Sequence, residues 1–91
     1  MIHLTEQQIG VIKALAVLSN KTQKGFTLEA IRDERMKDKI RDPRYNYLRS
    51  TQTTLKQLYA LVPNLVEKTE TDWRLTYTAL VVLNTQLKGL L

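Results

Sequence analysis

The chain has no cysteine. Disulfide scaffolds, thiolate chemistry and Cys-based metal sites are therefore excluded, and the composition fits the cytoplasm. There is one histidine, His3, set near the start and outside any periodic segment. A lone terminal imidazole offers neither a metal set nor an acid–base pair. The three glycines are scattered at 10, 25 and 89, so no Gly-rich phosphate loop exists. No uninterrupted apolar run approaches the ~18 residues of a membrane span. Ile9 to Leu18 is apolar but broken by Lys13 and preceded by Glu6, so it does not read as a signal peptide.

The acidic residues interleave with basic ones and do not gather as paired carboxylates or a metal cage. These absences point away from an enzyme and from any cofactor. At 91 residues, with 43% hydrophobic and 25% charged residues, residues 1–91 read as one domain with a thin core. Fourteen Lys and Arg against nine Asp and Glu give a net charge of +5, which suits a polyanionic partner without requiring one.

Helical segments are marked by caps and by three- and four-residue spacing. Thr5 and Gln8 form a capping box that opens a helix from about Glu6 to Leu18, with Ile9, Ile12, Leu15, Ala16 and Ser19 inward. In this helix Gly10 either weakens the exposed face or lets a neighbouring backbone come close. A polar loop, 19–25, leads to Thr27, which caps a second helix from Leu28 to about Lys39. Its inward positions are Leu28, Ile31, Met36 and Ile40, separated by a charge run of the solvated kind.

The longest helix is expected over 43–62. Asp42 is a fitting N-cap and Pro43 a fitting first residue. Alternatively, 41–47 forms a short element of its own. Tyr45, Leu48, Thr51, Leu55, Leu58, Tyr59 and Val62 make the inward stripe. At ~100° per residue the outward face carries Asn46, Arg49, Ser50, Thr53 and Gln57. That face has no carboxylate and no large apolar group, and its side chains are of the types that read base edges. Lys37, Arg41 and Arg44 concentrate positive charge at the entry to this helix, where phosphates would pass.

Pro63-Asn64 is a stop-and-turn signal. A hairpin follows over 65–77, with Trp73, Leu75 and Tyr77 alternating inward. From 78 to 91, Leu80, Leu83, Leu87 and Leu90 recur at three, four and three, the seam of a helix that pairs with a second copy. The same helix could fold back to complete a monomer core, or the strand could continue to about Val82.

The ordered motifs Leu4-Thr5-x-x-Gln8, Phe26-Thr27-Leu28-x-x-Ile31, Ser50-Thr51-x-x-Thr54-Leu55-x-x-Leu58, Leu65-Val66-Glu67-Lys68 and Trp73-Arg74-Leu75-Thr76 resemble the winged helix-turn-helix DNA-binding domain. The likeness is to small regulators of the MarR and PadR type. It implies an α+β, mainly α fold: three helices, a two-stranded wing and a C-terminal helix. It also implies a homodimer on double-stranded DNA that regulates transcription.

Asn46, Arg49, Ser50, Thr53 and Gln57 would then read bases. Lys37, Arg41, Arg44 and Arg74 would hold phosphates, and Leu80, Leu83, Leu87 and Leu90 would form the dimer interface. This chain departs from the family at Asn64, where Gly is usual and where Asn tolerates a left-handed backbone. It departs again at Ala79, and in its acidic wing tip, Glu67, Glu70 and Asp72, which phosphates would repel. The second reading is a protein-interaction module on the same fold.

Overall fold

The computed structural model describes residues 3–37 and 47–87. Their order is α1 (Glu6–Ser19), α2 (Leu28–Met36), α3 (Tyr47–Ala60), β1 (Val66–Lys68), β2 (Trp73–Leu75) and α4 (Tyr77–Thr85). The class is α+β and mainly helical, with four helices and one two-stranded antiparallel hairpin. Among the described residues no helix is long and apolar enough to cross a membrane.

α1 begins where its capping box predicts. The Thr5 hydroxyl accepts from the Gln8 N–H, and the Gln8 side chain accepts from the Thr5 N–H at 2.9 Å. Its buried set is wider than one stripe: Val11 and Ala14 join Ile12, Leu15, Ala16 and Ser19, while Ile9 is only half-buried. A helix apolar around most of its circumference belongs in the centre of a fold, and α1 packs against both α2 and α3. It ends in a left-handed Asn20, followed by a left-handed Lys21 whose N–H reaches Ala16 O at 2.8 Å. Of Gly10's two readings, close backbone approach is absent: a Cβ there would meet only Arg35 Nε, at an ordinary 3.8 Å.

The Thr27 hydroxyl accepts from the Ala30 N–H and caps α2, which ends at Met36, short of the expected Lys39. Ile31 is buried and Met36 half-buried; Ile40 lies outside the described residues.

The helix expected over 43–62 is found as Tyr47–Ala60; Asp42, Pro43 and Tyr45 lie outside the described residues. Thr51, Leu55 and Leu58 face the core as expected, and Thr54 joins them. Two inward assignments fail. Val62 is 98% exposed and Tyr59 53% exposed. The helix stops before Val62 because Pro63 disfavours helical backbone at the residue before it. The freed Leu58 carbonyl accepts from the Leu65 N–H instead.

The hairpin pairs Val66 with Leu75, Glu67 with Arg74 and Lys68 with Trp73. Its turn is closed by Thr69 and Asp72, each donating its N–H to an oxygen of the other. A further rung goes beyond the two expected strands: Phe26 and Trp73 exchange both backbone hydrogen bonds at 2.8 Å, so the α1–α2 connection lies along β2. Gly25 permits this approach, since a Cβ there would sit 2.9 Å from Asp72 Cβ.

The second strand ends earlier than expected. Thr76 caps α4, accepting from the Ala79 N–H, so Tyr77 is the first helical residue and is 73% exposed instead of inward. Continuation of the strand to Val82 is thereby excluded. Asn64 does not adopt the left-handed backbone it could tolerate; its side-chain amide donates to Val66 O at 3.0 Å. Leu83 (4% exposed) and Leu87 (7%) lie in the chain's own core with Ala79 and Val82, and Leu80 packs half-buried against it. Two of the four expected seam residues are thus buried inside one chain; Leu90 lies outside the described residues. A three–four spacing marks an apolar helix face, and here that face meets the core of its own chain.

Two substitutions test these contacts in urea unfolding. Leu83→Ala removes a buried side chain and is expected to cost about 2–5 kcal/mol. Gly25→Ala forces the loop off the hairpin and is expected to cost about 1–3 kcal/mol, the range for overpacking. An unchanged midpoint would contradict either assignment.

Candidate nucleic-acid interface

The exposed side of α3 follows from which of its residues the core takes. Thr51, Thr54, Leu55 and Leu58 are buried, which turns Arg49, Gln52, Thr53, Lys56, Gln57 and Ala60 outward. Arg49 and Lys56 supply the positive charge, and α3 contains no Asp or Glu. Gln52 and Lys56 were not anticipated. Assigning Tyr59 inward had turned the supposed outward face away from them; with Tyr59 outside, they share the surface with Arg49 and Thr53.

Of the five expected base-reading residues, Arg49, Thr53 and Gln57 are exposed, and Ser50 is half-buried with its carbonyl accepting from the Thr54 hydroxyl at 2.8 Å. Asn46 lies outside the described residues. Gln57 also reaches inward: its Oε1 accepts from Gln8 Nε2 at 3.3 Å, tying the face to α1.

The expected phosphate-holding residues fare differently. Lys37 is exposed, and its ammonium lies 2.7 Å from Glu34. Arg41 and Arg44 lie outside the described residues. Arg74 lies directly across the hairpin from Glu67, and its Nε and Nη2 both reach the same carboxylate oxygen, at 2.9 and 2.8 Å. A phosphate would have to displace that partner, so the register argues against Arg74 as a ready contact.

α2 holds α3 at a defined angle through a polar contact inside the packing. Arg35 Nη1 donates at 2.9 Å to the hydroxyl of Thr51, which is fully buried. The guanidinium so used belongs to the last turn of α2.

At the other edge of α3, the Tyr59 ring meets Trp73 in a T-shaped contact, centroids 6.3 Å apart and planes at 85°. Lys68 sets its ammonium 5.4 Å from the Trp73 ring centre, and Lys24 lies 5.7 Å from that of Phe26. Nothing in the sequence near Tyr59 announces Trp73, because the contact spans the α3–β2 crossing.

Among the described residues no group of three or more His, Asp or Glu could hold a metal ion. In comparison with known proteins, no family model, no curated protein and no solved structure matches this chain.

Thr51→Val keeps the volume but removes the acceptor for Arg35. Because the half-exposed guanidinium can recover water, the expected loss is about 1 kcal/mol, at the low end for a charged hydrogen bond. Urea unfolding of Thr51→Val beside Thr51→Ser checks it, since serine retains the hydroxyl and should keep most of the stability that the bond contributes.

Proposed function

We propose that the chain binds double-stranded DNA through α3, as a winged helix in which α2 and α3 form the helix-turn-helix pair and β1–β2 the wing. The observation that carries this reading is the exposed face of α3, with Arg49, Gln52, Thr53, Lys56 and Gln57 and no carboxylate in the helix. Side chains of these types reach base edges and phosphates when a helix enters the major groove. The element order supports the same reading, because α2 packs directly against α3 and the hairpin follows α3.

In this mechanism Arg49 addresses guanine, whose O6 and N7 accept two parallel donors. Gln52 and Gln57 are the amides that suit adenine, and Lys56 holds a phosphate. The hairpin contributes little, since Glu67 occupies Arg74, and Glu70 and Asp72 stand at the turn. A regulator of transcription with this mechanism needs a specific site, and a palindromic one would require a homodimer. Leu83 and Leu87 are buried in the single chain, and Tyr77 and Val81 are the exposed apolar groups that α4 would offer such a dimer.

Those same exposed groups favour the second reading, a protein-interaction module. Salt separates the two: DNA affinity falls steeply from low to moderate salt, whereas an apolar protein interface barely responds.

A gel-shift titration on the protein's own upstream DNA and a scrambled duplex, at two salt concentrations, is the direct test. Arg49→Ala is expected to cost about 1–3 kcal/mol on the specific site and to relax base preference. Lys56→Ala and Lys37→Ala are expected to weaken all duplexes alike, Lys37→Ala by less because Glu34 competes for it. Equal losses for Arg49→Ala on specific and scrambled DNA would remove it from base readout.

A further inference from the structure

We propose that the strip formed by Lys56, Tyr59, Lys68, Trp73, Phe26 and Lys24 binds single-stranded nucleic acid, with a base stacked on Tyr59 and phosphates running along the lysines. This surface lies beside the α3 face described above, and the proposal does not depend on duplex binding. Its backbone is the row of three paired residues Lys68, Trp73 and Phe26, whose side chains share one side of the sheet because directly paired residues point the same way. Trp73 is only 6% exposed and serves as a brace. Tyr59 is different. Held in a T-shaped contact, it keeps 53% of its surface open, although an apolar ring at a helix end is normally spent on packing.

An exposed, braced ring loses little conformational freedom when a flat ligand stacks on it. Cations flank the strip. Lys56 is one turn back on the same helix, three residues from Tyr59 and so on the same side. Lys68 lies over Trp73 and Lys24 over Phe26. Aromatic rings interleaved with lysines form the surface that stacks bases and tracks phosphates without reading sequence. Glu67 and Arg74 point to the opposite side of the hairpin and neutralise each other. Glu70 and Asp72 lie at the turn and mark where a phosphate chain has to leave the strip.

The measurement is fluorescence anisotropy of a labelled short oligothymidylate titrated with the full chain, with a labelled mixed-sequence duplex as the second arm. Trp73, the only tryptophan, gives an internal signal, because a base on Tyr59 approaches its ring. The expected result is binding that quenches Trp73 and a log–log salt slope of about −2, as for three phosphate contacts to a single strand. Tyr59→Ala should weaken it by about tenfold, Tyr59→Phe should retain it, and Arg49→Ala should leave it unchanged while weakening the duplex. Far-ultraviolet circular dichroism of each variant confirms that the fold is kept. The proposal is overturned if oligothymidylate does not bind at low salt, or if Tyr59→Ala binds as tightly as the parent. It is equally overturned if Tyr59→Phe loses as much as Tyr59→Ala, or if an Asp/Glu-rich peptide competes equally well, which would mark a plain cationic surface. Loss of duplex binding alone would count against the α3 reading and leave this one standing.

Discussion

Two backbone hydrogen bonds between Phe26 and Trp73 tie the α1–α2 connection to the hairpin, beside the packing of α1 and α2 on α3. A two-stranded hairpin by itself is marginal in water. Here the α1–α2 connection lies against β2, and Gly25 lets it approach Asp72 closely enough to do so. That edge sets Phe26 immediately before the Thr27 cap of α2, and places Trp73 where its ring meets Tyr59 near the end of α3. Thr76 makes the complementary junction on the other side of the hairpin. Its hydroxyl accepts from Ala79 N–H and donates to Asn64 O, and its own N–H reaches Leu65 O. One threonine thus closes the exit from α3 and opens α4.

Features with a local cause were legible in the sequence. Thr5 with Gln8, and Thr27 alone, cap helices through groups three residues away, so their chemistry is contained in short windows. The inward positions Ile12, Leu15, Ile31, Leu55 and Leu58 followed from spacing. The errors arose where one pattern served two geometries. Thr76 has the extended backbone of an N-cap, φ −84° and ψ 168°, which continues the alternation of Trp73 and Leu75, so that by sequence Tyr77 reads as another strand residue. The leucines of α4 show an apolar face but not whose core it meets. Contacts between distant segments had no local sign at all, as with Phe26 and Trp73, or Tyr59 and Trp73. Arg74 is the hairpin's candidate for phosphate by sequence, and the register sets it opposite Glu67.

The candidate site was partly legible for the same reason. That α3 carries no carboxylate is a property of composition and survives any rotation of the helix. Which polar residues face out depends on the rotation, and that was fixed by Thr51 and Thr54 entering the packing. Their hydroxyls are satisfied there, by Arg35 in one case and by the Ser50 carbonyl in the other. Two buried threonines on one helix are tolerable only because both hydroxyls have partners, since an unsatisfied buried hydroxyl costs about 1–3 kcal/mol. Gln52 and Lys56 come to the surface as the geometric consequence.

The distribution of exposed groups then follows from how thin the core is. A small domain buries a smaller share of its surface, and Leu83 and Leu87 join the residues of α1 and β2 in its single core cluster. What the core does not require is left where it has chemical consequences. Arg49 and Lys56 remain on α3, and Tyr59 remains open at its end. The hairpin's one well-placed arginine is committed to Glu67, which removes a competing cationic surface on that side. Arg49 and Lys56 on α3, with no carboxylate in the helix, and the lysines of the aromatic strip are left on the other side. Under the duplex-binding proposal a polyanion would lie along α3, and the acidic turn at Glu70 and Asp72 would limit how far that contact extends.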